Sequence, residues 1–186
     1  MRPLFTIHAG EFLVGSEIER RIPAVTVWVP SKDTGVDLLV TRSGDDRPVS
    51  LQVKYSRDYA MNNPGFIAWG WWTLQLSKIR ASRADLWVFV LLPFQVKRTL
   101  DASAIQYVIV PRAELAARLS RLHGPQDRMD CYLGVTRKKK CWEGRGLTSE
   151  ERNLIALGQD RHVKVIRDFT AYLNAWGSLS QRLRRR

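Results

Sequence analysis

Val36-Asp-Leu-Leu-Val-Thr-Arg-Ser-Gly-Asp-Asp-Arg-Pro-Val-Ser-Leu-Gln-Val-Lys-Tyr55 reads as two strands joined by a turn. Val36 to Thr41 and Val49 to Tyr55 are rich in β-branched and apolar residues, and Ser43-Gly-Asp-Asp-Arg-Pro48 between them is turn chemistry. So short a connection makes the two strands antiparallel neighbours. Period-two geometry puts Gln52 and Lys54 on one face of the second strand and Leu51 and Val53 on the other. The hairpin brings Asp37 near them.

Working outward, His8 to Arg21 reads as a helix, with Val14, Ile18 and Ile22 on one stripe and Arg20 and Arg21 closing its end. Ala24 to Pro30 is a strand, and Ser31-Lys-Asp-Thr-Gly35 a turn. Residues 56–72 read as irregular, with Asn62-Asn-Pro-Gly65 as a breaker, and Thr73 to Ser82 as a helix. Asp85 to Leu92 is a buried strand, apolar almost throughout. Ile105 to Val110 is another strand, and Pro111 opens a helix to about His123, before Gly124-Pro125. Beyond lie a basic loop, Arg137-Lys-Lys-Lys140, a short helix after Thr148, and a last helix from about Val163 to Trp176. The order predicts an α/β fold with a mixed central sheet flanked by helices. We expect one domain over 1–186, with a core of about 8–123 and a basic helical extension of about 124–186.

The 186 residues are 45% hydrophobic and 26% charged, an ordinary globular balance. No apolar run approaches the roughly 20 residues of a membrane span, and the first residues lack the apolar segment of a secretory signal. Two cysteines, Cys131 and Cys141, are too few for a disulfide framework, so a cytoplasmic protein is expected. The net charge is +12, and it is uneven: residues 111–186 hold 17 basic and 8 acidic side chains, against 13 and 10 before them. Such a surface attracts polyanions, nucleic acid above all.

Chemistry concentrates in four residues. Glu11 sits on the apolar stripe of the first helix, where a carboxylate is costly unless it is paired or binds a cation. Were that helix packed over Gln52 and Lys54, Glu11 and Asp37 would add two carboxylates to an amide oxygen and an ammonium. Carboxylate and amide oxygens suit Mg²⁺ or Mn²⁺. A lysine beside them can position a water and offset charge on a phosphoryl transition state. Glu17 is the fallback should the helix register differ.

Gly35-Val-Asp-Leu-Leu-Val40 followed by Leu51-Gln-Val-Lys54 resembles the PD-(D/E)xK nuclease superfamily, which includes restriction endonucleases and Holliday-junction resolvases. Gly10-Glu-Phe-Leu-Val-Gly-Ser-Glu-Ile18 resembles the first-helix motif of its resolvase-like branch. The resemblance implies a restriction-endonuclease-like core and metal-dependent DNA cleavage. It implies Glu11 as helix carboxylate, Asp37 as metal-bridging aspartate, Gln52 as middle ligand and Lys54 as catalytic lysine. Two departures stand out. Val36 replaces the Pro of the motif, and Gln52 replaces its middle acid, removing one negative charge. Cutting both strands calls for a homodimer or sequential nicking. A catalytically silent DNA-binding module and an RNA-directed nuclease are the alternative readings.

Contacts to the DNA backbone are expected from Ser56 and Arg57 after the lysine strand, from Arg137, Lys138, Lys139 and Lys140, and from Arg182, Arg184, Arg185 and Arg186. Trp69, Trp71 and Trp72 could stack on bases or pack in a core. Cys131, Cys141, His123 and His162 lack zinc-site spacing. Neither a G-x-S-x-G elbow nor a G-x-x-x-x-G-K-[ST] loop is present.

Overall fold

The computed structural model describes residues 4–31, 35–44, 47–56, 65–93 and 104–184, with residues 4–8 described by their backbone alone. Helix α1 (Leu4–Arg21) is followed by β1 (Val25–Trp28), β2 (Leu38–Arg42), β3 (Val49–Tyr55), β4 (Phe66–Gln75), α2 (Leu76–Ala81), β5 (Leu86–Leu91), β6 (Gln106–Pro111) and α3 (Arg112–His123). Then come β7 (Arg128–Thr136), β8 (Cys141–Glu143), α4 (Ser149–Leu157), two 3₁₀ turns (Val165–Arg167 and Thr170–Tyr172) and α5 (Trp176–Arg184).

Five strands form a mixed sheet in the order β1-β2-β3-β5-β6. β1, β2 and β3 are an antiparallel meander, β5 runs parallel to β3, and β6 is antiparallel to β5. The mixed central sheet with flanking helices is as expected, and so is the fully buried β5. The stripe of α1 is also borne out: Val14 and Ile18 are wholly buried and Ile22 nearly so. They pack with Leu51 and Val53 of β3 and with Trp176, Leu179 and Leu183 of α5. Gly10 permits the close approach, since a Cβ there would stand 2.6 Å from Tyr55 Cβ.

On the other face a second sheet, β4-β7-β8, packs against β5 and β6 through Trp72, Leu74, Met129 and Leu133, with Phe89 and Val108 opposite. This sheet corrects three expectations. The irregular segment 56–72 is a strand from Phe66 onward, and the helix expected over 73–82 is only α2. The extension 124–186 is not wholly helical, because β7 pairs with β4 along nearly its whole length. Trp69 explains why that pairing escapes a pattern search. Its ring lies over its cross-strand partner Gly134, where a Cβ would stand 2.1 Å away, so glycines in β4 and β7 make room for tryptophan. The last helix is shifted from 163–176 to α5. β-Branched Val165 and Ile166 precede it in 3₁₀ geometry, whereas Trp176, Leu179 and Leu183 give the i, i+3, i+7 stripe.

Candidate functional site

Asp37 stands immediately before β2 begins, across the hairpin from β3. Its backbone N–H donates to Leu51 O at 2.8 Å. Its Oδ2 accepts from Val53 N at 2.6 Å and from Gln52 Nε2 at 2.5 Å. Asp37 thus supplies the acceptor that Val53 needs where the ladder stops. The hairpin geometry read from the sequence is found: Asp37 and Gln52 are in contact. Lys54 is two residues on, half-buried like Gln52, and its Nζ lies 5.3 Å from the centroid of the Trp87 ring. Trp87 is the cross-strand neighbour of Gln52 on β5, so one ring fixes where the ammonium sits beside the amide.

Glu11 is placed differently from expectation. α1 packs on the Leu51 and Val53 face, opposite Gln52 and Lys54, because its apolar stripe needs the apolar face of β3. Glu11 therefore does not stand over Gln52 and Lys54. It lines a groove of about 320 Å³ between α1 and the first strands, together with Glu19, Val27 and Leu38, the residue after Asp37. The fallback, Glu17, lies in the next turns of α1 and is held by Arg20 at 2.8 Å and by Arg21. The Arg20 guanidinium, joined by Arg21, outweighs burial and holds the Glu17 carboxyl below its ordinary value.

The donors that meet here suit a hard divalent cation in kind, a carboxylate at Asp37 and an amide oxygen at Gln52, while Glu11 stands on the other face. They are sparse in charge, and among the described residues no three His, Cys, Asp or Glu side chains are grouped to hold a metal. The amide N–H of Gln52, not its oxygen, faces Asp37. A cation shared by the two has to displace that hydrogen bond.

The expected backbone contacts divide. Ser56 is buried, and its hydroxyl accepts from Trp71 N at 3.2 Å, joining the two sheets and not facing a phosphate. Lys138 Nζ donates to Leu157 O at 2.5 Å and Lys140 pairs with Asp160, so both fasten the β7–β8 turn to α4 and the segment after it. Arg137 and Lys139 are exposed. Lys139, at φ 59°, lines a cleft of about 650 Å³ with Arg20, Arg21 and Tyr107. Arg182 is half-buried and Arg184 exposed on α5, while Arg57, Arg185 and Arg186 lie outside the described residues.

Two clusters have no counterpart in the sequence reading. Asp85 Oδ2 accepts from Ser50 N at 3.0 Å and Ser50 Oγ at 2.9 Å, fixing the start of β3 against β5. Glu143, fully buried at the end of β8, accepts from Arg145 N at 3.0 Å and pairs with Arg167, with His123 Nε2 3.7 Å away. Burial pushes the Glu143 carboxyl up to about 7 despite the pull of the Arg145 amide and Arg167. Apart from the Arg145 amide, these partners are 20 or more residues apart and leave no local pattern to read. Cys131 and Cys141 are free thiols buried in the core between the sheets, and burial raises both.

No family model, no curated protein and no solved structure matches the chain.

Proposed function

We propose that the chain is a metal-dependent DNA endonuclease of the PD-(D/E)xK kind. The observation that carries this reading is the contact of Asp37 with Gln52 across the β2–β3 hairpin, with Lys54 on the same face two residues further. The helix, three-stranded meander and parallel fourth strand that surround them fit a restriction-endonuclease-like core. The net charge of +12 supplies attraction for a polyanion.

In this reading Asp37 and Gln52 would hold Mg²⁺, for which Mn²⁺ could substitute, and Glu11, on the other face of the sheet, takes no part. The ion supplies Lewis-acid polarisation of the scissile phosphate. Lys54, held by Trp87, positions the attacking water and offsets charge as its oxygen bonds to phosphorus and the leaving oxygen departs. Exposed Arg137, Lys139 and Arg184 engage the DNA backbone.

A second reading has its own observation. The Gln52 amide already donates to the Asp37 carboxylate, which gives the site a stable arrangement of a kind that a silent DNA-binding module would keep. Incubating plasmid, branched and single-stranded DNA with Mg²⁺ or Mn²⁺, against EDTA, separates them. Cleavage abolished by EDTA supports the nuclease. Salt-sensitive binding with no cleavage of any substrate favours the silent module, and binding to RNA alone overturns both.

A further inference from the structure

Of the three clustered tryptophans, Trp69 and Trp72 are buried, in two different cores. Trp71 is 45% exposed. It lies on the outer face of the second sheet, and its ring is nearly parallel to that of Tyr132, its cross-strand partner on β7, at 13° with centroids 6.2 Å apart. Tyr132 is itself partly buried against the Phe66, Trp69 and Trp142 cluster, so its ring has a packed backing. In the next pair along the same face, the Thr73 hydroxyl donates to Asp130 Oδ1 at 2.8 Å. Trp71 therefore presents a braced aromatic surface to solvent.

Its position is the second observation. The Trp71 backbone N–H donates to Ser56 Oγ, and Ser56 follows Lys54 by two residues at the end of β3. The backbone that carries Trp71 is thus tied to the residue after β3, the strand of Gln52 and Lys54, while the two rings face away from the first sheet. A cross-strand aromatic pair also stabilises a sheet, but that role is met equally well by a buried ring. An exposed indole on a chain of net charge +12, tied to a phosphate-directed site, fits a ligand that carries both a π-face and negative charge.

We propose that Trp71, braced by Tyr132, is a stacking platform for one unpaired nucleobase of a DNA strand bound at the Asp37–Gln52–Lys54 site. The inference rests on the reading of that site as DNA-directed. It adds that the substrate has at least one unstacked base, as in a single strand, a branch or a distorted duplex. A regular duplex keeps its π-faces inside the stack and gives the platform nothing to hold.

The test is binding in EDTA, so that neither metal nor cleavage enters. Three probes are used: an oligothymidylate strand, the same strand with abasic residues, equal to it in length and charge, and a regular duplex. Wild-type protein should prefer the base-bearing strand to the abasic one by about tenfold, the scale of one base–aromatic stack. Trp71→Ala should bind both strands alike, with an unchanged salt slope. Trp71→Leu keeps the apolar cover but has no π-face, so it should lose the preference while melting as wild type does. Trp71→Phe should retain most of it. Duplex affinity should not depend on residue 71. A preference that survives in Trp71→Ala and Trp71→Leu, or that is absent from wild type, overturns the platform. An oligouridylate strand whose affinity falls further than that of the DNA strand on loss of Trp71 overturns the assignment to DNA. Failure here leaves metal-dependent cleavage at Asp37 and Lys54 to be judged by its own assay.

Discussion

Asp37 and Gln52 face each other across the β2–β3 hairpin, with the Gln52 amide donating to Asp37 Oδ2 at 2.5 Å. The same oxygen accepts from Val53 N at 2.6 Å, so one carboxylate both ends the strand ladder and anchors the candidate site. Asp37→Ala leaves two donors without their acceptor, a loss of about 1–3 kcal/mol. For a chain of this size the melting temperature should fall by several degrees. Asp37→Asn, which keeps an acceptor for Val53, should melt higher than Asp37→Ala. Equal melting of the two variants would show that the Val53 bond contributes nothing.

Gln52→Glu replaces a hydrogen bond with a contact between two carboxylates. Without metal this repulsion should lower the melting temperature, and Mg²⁺ should restore it more strongly than in wild type. The half-saturating metal concentration for cleavage should also fall. Thermal melts across a Mg²⁺ titration check both. Identical metal responses in the two proteins would place Gln52 away from any cation.

The hairpin was legible in the sequence because its signals are local: β-branched runs, a turn rich in Gly, Asp and Pro, and period-two alternation. The α1 stripe and the apolar run of β5 were legible for the same reason. The second sheet was not, because β4 hides its alternation behind Trp-Gly-Trp-Trp, and its partner β7 lies more than 50 residues away. The site was legible up to Asp37, Gln52 and Lys54. The side of the sheet on which α1 packs decided where Glu11 stands, and that depends on which face of β3 is apolar. Lys138 and Lys140 read as surface charges because Leu157 and Asp160, which hold them, are about 20 residues on.

α5 is packed into the core, since Leu183 is 3% exposed and packs with Trp176 and Leu179. Truncation after Ser180 should therefore cost about 2–4 kcal/mol, in the range of other large losses from a core. Arg182→Ala with Arg184→Ala should leave melting nearly unchanged and lower the salt slope of DNA binding by up to about 2. Chemical denaturation and a salt series distinguish the two effects. A truncated chain as stable as wild type would contradict the packing of α5.

His123 provides a pH signature. Burial, with the guanidinium groups of Arg145 and Arg167 nearby, depresses its imidazole to about 4. The folded value lies below the unfolded value of about 6.5. The stability it contributes is complete above pH 6.5 and is lost as pH falls toward 4. Glu143 opposes this, since its raised value of about 7 gives stability below its unfolded value of about 4.3 that is lost as pH rises through 7. His123→Gln removes only the first effect. Its melting temperature should fall less than that of wild type between pH 6.5 and 4, and parallel profiles would show that His123 does not titrate in that window.

The central claim is tested most directly by single-turnover cleavage with saturating Mg²⁺, comparing wild type with Asp37→Ala and Lys54→Ala. Each substitution should lower the rate by at least about 10²-fold, the scale of a lost electrostatic group, while DNA affinity changes far less. EDTA should abolish the wild-type activity. Wild-type rates in both variants, or no metal-dependent cleavage in the wild-type protein, would contradict the assignment of Asp37, Gln52 and Lys54 as a nuclease site.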